Sequence, residues 1–140
     1  MIIIIDLCNI IYTSNILYIN ANDTTLETNK IDELLTSLDE IFAKIYTQKK
    51  QIYVIHNITN LSYKNALMYN LYIHHFLQFL NKNKYIFEEC LLSTFIIIEN
   101  NIIKNIFKLL LKLYNNVKPI MFFNTEKEAL VYLKNYLKKF

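Results

Sequence analysis

The chain has 140 residues, of which 54% are hydrophobic and 14% aromatic, and its formal net charge is +3. It contains no glycine and all 15 of its basic residues are lysine, so glycine-rich phosphate loops, nucleophile elbows and arginine forks are excluded. Length and apolar content predict one domain, residues 1–140, and the small charge does not favour nucleic acid as a partner.

Composition also predicts the cellular setting. The chain has 18 asparagines but no glycine, arginine or tryptophan, which is typical of an AT-rich genome. Cys8 and Cys90 make no disulfide framework and predict free thiols in a reducing, cytoplasmic compartment. The opening run of isoleucines reaches Asp6 too early for a signal peptide, and we expect no membrane span because no uncharged apolar run approaches ~18 residues.

The first predicted elements are a hairpin and an amphipathic helix. Isoleucine-rich runs at residues 2–7 and 15–20 predict two strands, with a turn at residues 13–15. Apolar residues then recur at spacings of three and four, which predicts a helix with Thr28 as its N-cap. These residues are Ile31, Leu34, Leu35, Leu38, Ile41, Phe42 and Ile45.

Strands and helices alternate through the rest of the chain. Further strands are predicted at residues 52–56, 93–98 and 119–123, and helices at residues 62–80, 102–114 and the C-terminus. Thr125 and Glu128 form a capping box at the start of the last helix. The predicted order is β-β-α-β-α-β-α-β-α, an α/β fold whose single-helix crossovers imply a mostly parallel sheet with an N-terminal hairpin.

This element order resembles that of the STAS-like family, the anti-sigma-factor antagonists and their relatives, over nearly the whole chain. The likeness is strongest at residues 118–133, Lys-Pro-Ile-Met-Phe-Phe-Asn-Thr-Glu-Lys-Glu-Ala-Leu-Val-Tyr-Leu, which are similar to the closing strand and helix of that family. The resemblance implies a STAS-like fold and a non-catalytic, regulatory role through protein–protein contacts.

The family's phosphorylated serine lies in an Asp-Ser-x-Gly motif at the start of the helix after the central strand. Residues 57–66 correspond to it here, and they read Asn-Ile-Thr-Asn-Leu-Ser-Tyr-Lys-Asn-Ala without that motif. Asn65 and Ala66 stand in the place of Asp-Ser, which removes the phospho-acceptor. Ser62 and Thr59 are the nearby hydroxyls, and they are interpreted either as helix caps or as alternative acceptors.

The second predicted helix, residues 62–80, has an uncharged outer face. No charged residue occurs between Lys64 and Lys82, whereas a solvated helix of this length normally carries several charges. Its core side is predicted to hold Ala66, Tyr69, Ile73, Phe76 and Leu80. The predicted interaction surface consists of Leu67, Met68, Leu71, Tyr72, His74, His75 and Gln78. A protein partner or a second copy is favoured, and biased composition on an ordinary surface helix is the alternative.

Loops rich in asparagine follow the predicted parallel strands, where ligands of open α/β sheets gather. The candidate loop residues are Asn57, Thr59, Asn60, Ser62 and Asn65. They have amide and hydroxyl groups suited to a peptide or a small polar ligand, so a small-ligand sensor is one alternative function. Simple caps and turns are the plainer interpretation.

An enzymatic alternative comes from residues 3–12, Ile-Ile-Ile-Asp-Leu-Cys-Asn-Ile-Ile-Tyr, which resemble the first strand of PIN/flap-type nucleases. The opening motif of that family carries a metal-binding Asp and a nearby Asn, and Asp6 and Asn9 match these two positions. The chemistry needs several carboxylates on a divalent cation, but Glu99 is the only one at a later predicted strand end. His56, His74 and His75 lack metal-ligand spacing.

The sequence therefore favours a non-catalytic interaction or scaffold module without metal or cofactor. It would act through the second helix and the adjacent loops.

Overall fold

A six-stranded mixed sheet organises the protein, whose computed structural model describes residues 1–112 and 118–137. The order of the strands in the sheet follows their order in the chain. The strands are β1 (Ile2–Ile4), β2 (Cys8–Thr13), β3 (Ile16–Ala21), β4 (Ile52–Asn57), β5 (Leu91–Ile97) and β6 (Ile120–Phe123). β1, β2 and β3 pair antiparallel, whereas β3 to β6 pair parallel. The predicted α/β class and mostly parallel sheet are confirmed.

Helices connect the parallel strands. They are α1 (Thr28–Thr47), α2 (Tyr63–Met68), a 3₁₀ turn (Tyr69–Tyr72), α3 (Ile73–Lys82), α4 (Lys84–Cys90), α5 (Asn101–Lys112) and α6 (Glu126–Leu137). None of the described helices is long and apolar enough to cross a membrane.

The connecting helices lie on one face of the sheet. Each crossover advances by one strand in the same direction, so right-handed connections place their helices on the same side. Ile31 and Ile45 of α1 pack in one cluster with Leu17 of β3. Ile103 of α5 packs in another cluster with Ile96 of β5.

Helix α6 covers the opposite face. Ala129 and Leu133 are buried there against Ile55 of β4 and Phe95 of β5. Val54, the neighbour of Ile55 in β4, packs with the other helical layer. Because β4 is covered on both faces, it reads as a continuous apolar run rather than as an alternating one.

The N-terminal hairpin is present, but β2 and β3 form it, so the prediction of one strand over residues 2–7 is wrong. The chain reverses after β1, where the N–H of Ile5 donates to the carbonyl of Cys8 at 3.1 Å. Burial alternates along residues 8–13, which had not been predicted as a strand. At the hairpin turn, Ser14 takes φ +38° without the help of glycine.

The long second helix is divided. Residues 62–80 contain α2, the 3₁₀ turn and most of α3, and the backbone at Tyr72 leaves the helical region at φ −111°, ψ 16°. Helix α4 was not predicted, because its seven residues are too few for a clear helical period.

The helix starts agree only in part with the predictions. Glu27, not Thr28, occupies the N-cap of α1 and makes no side-chain cap bond. At α6 the Thr125 hydroxyl accepts from the N–H of Glu128 at 3.2 Å, as the capping box requires. The Glu128 carboxylate accepts from Asn124 instead of Thr125. The helix predicted at residues 102–114 corresponds to α5, and its last two predicted residues, 113 and 114, lie outside the described residues.

Candidate functional site

A mostly apolar cavity of about 240 Å³ lies between the sheet and the connecting helices. Its sheet wall includes Ala21, Val54, His56, Thr94 and Ile96. Its helical wall includes Leu34, Leu38, Ile73, Phe76, Leu77 and Phe107. An apolar cavity of ~150 Å³ is already large enough to take up benzene, so this one has room for a small organic molecule.

The cavity follows from the sizes of the side chains that face each other. Aromatic rings cluster at the start of α3, where the Tyr69 ring lies tilted against Phe76 at 5.6 Å and against Phe107 at 6.1 Å between ring centroids. The sheet below them presents small residues, Ala21 and Thr94 among them. Rigid rings above small side chains leave space that neither layer fills.

His56 is one of the polar residues in this wall. It lies on β4 two residues after Val54, so its side chain is on the same face of the sheet as that of Val54, which packs against the connecting helices. His56 is half-buried and lines the cavity, and burial lowers its pKa to about 4. The ring makes no hydrogen bond to any residue that the structure describes. A neutral imidazole, with one donor and one acceptor, is thus presented to the cavity.

Two other polar side chains in the wall are held in their neutral forms. Burial raises the pKa of the Cys8 thiol to about 12, with a further contribution from the charge of Glu33. Burial also raises the pKa of the Tyr69 hydroxyl well above its usual range. A thiol needs a lowered pKa to act as a nucleophile, so Cys8 is a structural and not a reactive cysteine.

Lys118 is the charged residue among the described lining residues of the cavity. It is half-buried just before β6, and no described carboxylate pairs with it. The salt bridge that the described residues do contain joins Lys82 to Asp39 at 3.0 Å on the outer surface. The cavity therefore combines an apolar body with one cation and a neutral imidazole.

The candidate loop residues lie at the carboxyl edge of the sheet, where several of them meet. The Asn57 carboxamide oxygen accepts from the N–H of Thr59 at 3.0 Å and from its hydroxyl at 2.7 Å, which closes a local turn. The Ser62 hydroxyl accepts from the N–H of Asn65 at 3.2 Å, so Ser62 is the N-cap of α2. Asn60 is exposed in the turn between them.

Asp23 completes this cluster, and sequence reasoning missed it. Its Oδ1 accepts from the N–H of Ser62 at 2.8 Å and from the Asn65 side chain at 2.7 Å. These bonds lower the pKa of the Asp23 carboxyl, the Ser62 N–H most of all. The sequence could have indicated Asp23 by its position two residues after the end of β3, at the sheet edge where the carboxyl ends of the parallel strands lie together. A carboxylate beside Ser62 repels a phosphate on that hydroxyl.

The predicted helix-two surface divides into two parts. The exposed part is a stripe at helical spacing, which we call the α2–α3 stripe: Leu67, Leu71, His74 and Gln78. Leu71 is 70% exposed. Met68 and Tyr72 instead pack partly against the main core cluster, and His75 lies half-buried with its ring 5.7 Å from that of Tyr72.

The residues of the nuclease alternative are not brought together. Asp6 is exposed between β1 and β2, whereas Glu99 follows β5. Three strand spacings separate β2 from β5, which is roughly 14 Å. Asn9 lies on β2, and its Oδ1 is buried without a hydrogen-bond partner. Within residues 1–112 and 118–137 there is no group of three His, Cys, Asp or Glu side chains that could hold a metal ion.

No protein-family model, curated protein or solved structure matches the chain. What the protein does is therefore inferred from the geometry of its own residues.

Proposed function

We propose that the protein is a non-catalytic module that binds a small, largely apolar molecule in the cavity beneath α3. The observation that carries this proposal is the cavity of about 240 Å³ with the unpaired imidazole of His56 in its wall. An apolar pocket with a few polar groups of shifted pKa is the usual form of a small-molecule site. This function corresponds to the small-ligand sensor that the sequence offered as an alternative function. The proposed site is the interior cavity and not the asparagine-rich loops at the edge of the sheet.

The chemistry of the wall supports binding rather than catalysis. Cys8 and Tyr69 stay protonated at neutral pH, because burial raises both pKa values. His56 stays unprotonated and has no carboxylate or hydroxyl partner among the described residues to make it a general base. These groups offer hydrogen bonds and shape to a ligand.

Thermal unfolding with and without indole, a small apolar probe with one N–H, tests the proposal. A ligand that binds only the folded state stabilises it by about 2.7 kcal/mol at 100 times its Kd, so we expect a saturable rise in Tm. Leu77→Trp should abolish the rise, because Leu77 lines the cavity and the larger ring fills it. Leu109→Trp is the matched control, since Leu109 is 61% exposed on α5 and should leave the rise unchanged.

The result against the proposal is equally specific. If indole, 1-octanol and octanoic acid all fail to stabilise the wild type saturably, or if indole stabilises Leu77→Trp as much as the wild type, the cavity is not a binding site.

A second candidate function is self-association through the α2–α3 stripe. The stripe is uncharged, and Leu71 is largely exposed within it. Two copies can therefore meet there without like-charge repulsion, and apolar area is removed from water. The occupant proposed for this surface is a second copy of the chain.

The STAS-like relationship and the cytoplasmic location are also proposals. The first is supported by the serial order of the parallel strands, with their connecting helices on one face. The closing strand β6 and helix α6, which follow the family-like residues 118–133, support it as well. The second is supported by the two cysteines, which are both free and buried.

A further inference from the structure

We propose that the ligand of the cavity is a monocarboxylic acid with an apolar chain, its carboxylate paired with Lys118 and a hydroxyl or carbonyl further along the chain bonded to His56. The inference rests on the proposed function and adds the chemical class of the ligand.

Lys118 supplies the argument for the acid. Lys118 is half-buried where it lines the apolar cavity, and a lysine whose stem packs on apolar surface can turn its ammonium toward an anion bound there. No described carboxylate pairs with it, and residues 113–117 contain no acidic side chain. A carboxylate on the ligand provides the missing counter-charge.

The single positive charge in the cavity wall also limits the chemical class of the ligand. The described wall offers one cation and no second one, since His56 is neutral at pH 7. Di- and triphosphates require several cations or a glycine-rich loop, and the chain has no glycine. One carboxylate on an otherwise apolar molecule matches the charge of the site.

His56 supplies the argument for a second polar group. A buried donor or acceptor without a partner costs roughly 1–3 kcal/mol, so a ligand that satisfies the imidazole gains over one that does not. A hydroxyl can both donate to the ring and accept from it, and a carbonyl can accept. The ring lines the cavity, so a polar group on a ligand bound there can reach it.

The sheet register gives the length of the chain. Lys118 lies two residues before Ile120, which is level with Val54 through Thr94, and His56 lies two residues beyond Val54. Four residues along the strands and two strands across correspond to Cα atoms on the order of 16 Å apart. The Lys118 side chain, which reaches up to ~6 Å from its Cα, and two hydrogen bonds of about 3 Å shorten this gap, so an extended chain of up to about eight carbons spans it.

The test compares three probes of equal length by isothermal calorimetry, each below its micelle concentration. They are 8-hydroxyoctanoic acid, octanoic acid and 1-octanol. We expect the hydroxy acid to bind tightest and the alcohol weakest, with about a tenfold step for the carboxylate, because a hydrogen bond to a charged group is worth ~1.5–3 kcal/mol.

Substitutions of Lys118 and His56 show which residue causes each difference in affinity. Lys118→Gln should remove the advantage of octanoic acid over octanol, and Lys118→Arg should keep it. Lys112→Gln, with the same change of net charge on exposed α5, should have no effect. His56→Phe should remove the advantage of the hydroxy acid over octanoic acid while leaving octanoic acid bound.

The outcomes separate this inference from the proposed function. If indole or octanol binds but the acids bind no tighter in the wild type, the ligand class is wrong and the cavity remains a binding site. If neither indole nor any of the three chain probes binds, both proposals fail.

Discussion

The carboxylate of Asp23 accepts a 2.8 Å hydrogen bond from the backbone N–H of Ser62, 39 positions later in the chain. Asn65 adds a second bond of 2.7 Å to the same oxygen. The contact fastens the start of α2 to the segment that follows β3, and so fixes one end of the helical segment above the cavity. Ser62, which the sequence indicated as a helix cap or a phospho-acceptor, thus holds the start of α2 in place.

Asp23→Ala should destabilise the protein at neutral pH, and the difference from wild type should disappear in acid. Because the pKa of Asp23 is lowered below its ordinary value of 3.8, the folded state binds fewer protons than the unfolded state in that window. The stabilisation is therefore complete above about pH 4 and is lost as pH falls through the folded-state pKa. Urea unfolding between pH 7 and pH 2 measures it.

Asp32→Ala is the control for Asp23→Ala, because Asp32 is exposed on α1 and makes no side-chain hydrogen bond within the described chain. A deficit for Asp23→Ala that stays constant down to pH 2 would contradict the assigned role of the carboxylate.

His56 should make folding sensitive to mild acid. Its pKa is about 4 in the folded state and 6.5 ordinarily, so between these values the unfolded chain binds a proton that the folded chain does not. Stability should therefore fall as pH drops from 6.5 to 4, by about 3 kcal/mol in total, and show no His56 contribution above pH 6.5. Chemical denaturation at pH 7, 5.5 and 4.5 measures the loss.

His56→Phe should flatten this pH dependence, because phenylalanine keeps an aromatic ring and cannot be protonated. The matched control is His74→Phe, at an exposed position of α3. If the acid sensitivity survives in His56→Phe, another group is responsible for it.

Asn83 joins α1 to the end of α3, and its loss should cost more than the loss of the adjacent ion pair. Its buried amide donates to Asp39 at 2.8 Å and to the Phe79 carbonyl at 3.0 Å. Asn83→Leu, close in volume, should lower the free energy of unfolding by about 1–3 kcal/mol, because it removes the hydrogen bond to the charged Asp39 carboxylate. Lys82→Met should cost less than about 1 kcal/mol, since the lysine is 69% exposed. Equal losses in urea titrations would contradict this ranking.

Leu71→Glu should convert any oligomer into a folded monomer. The side chain is 70% exposed, so the fold tolerates the charge, whereas an apolar interface does not. Light scattering gives the native mass, and circular dichroism checks the fold. Leu109→Glu, at another exposed leucine outside the α2–α3 stripe, should leave the mass unchanged. A wild-type monomer would remove self-association as a candidate function.

Periodicity was enough for the elements that bury one clear face. The spacing of Ile31, Leu34 and Leu38 predicted α1, and all three are buried. The prediction of a single strand over residues 2–7 failed because residues 2–5 and 10–11 are all isoleucine. This composition does not show where β1 ends, where the chain reverses and where β2 begins. The division of helix two at Tyr72 has no proline or glycine to mark it, and it depends on packing between distant helices.

The cavity could not be predicted, because it depends on sizes compared across separate elements. Ala21 and Phe76 line it from opposite layers, and no local pattern relates them. In the sequence, the spacing of His56 speaks only against metal binding, although its place in an apolar strand indicates a buried imidazole. Lys118 belongs to the sequence signature of the closing strand, and its position at the cavity depends on the pairing of β6 with β5.

The most direct test of the binding cavity is to measure nuclear Overhauser contacts between bound indole and the isotope-labelled protein. The account predicts cross-peaks from indole protons to the His56 ring and to the methyl groups of Val54 and Ile96. It predicts none to Leu109 on the outer surface of α5. Contacts confined to the surface, at indole concentrations that saturate the thermal shift, would contradict it.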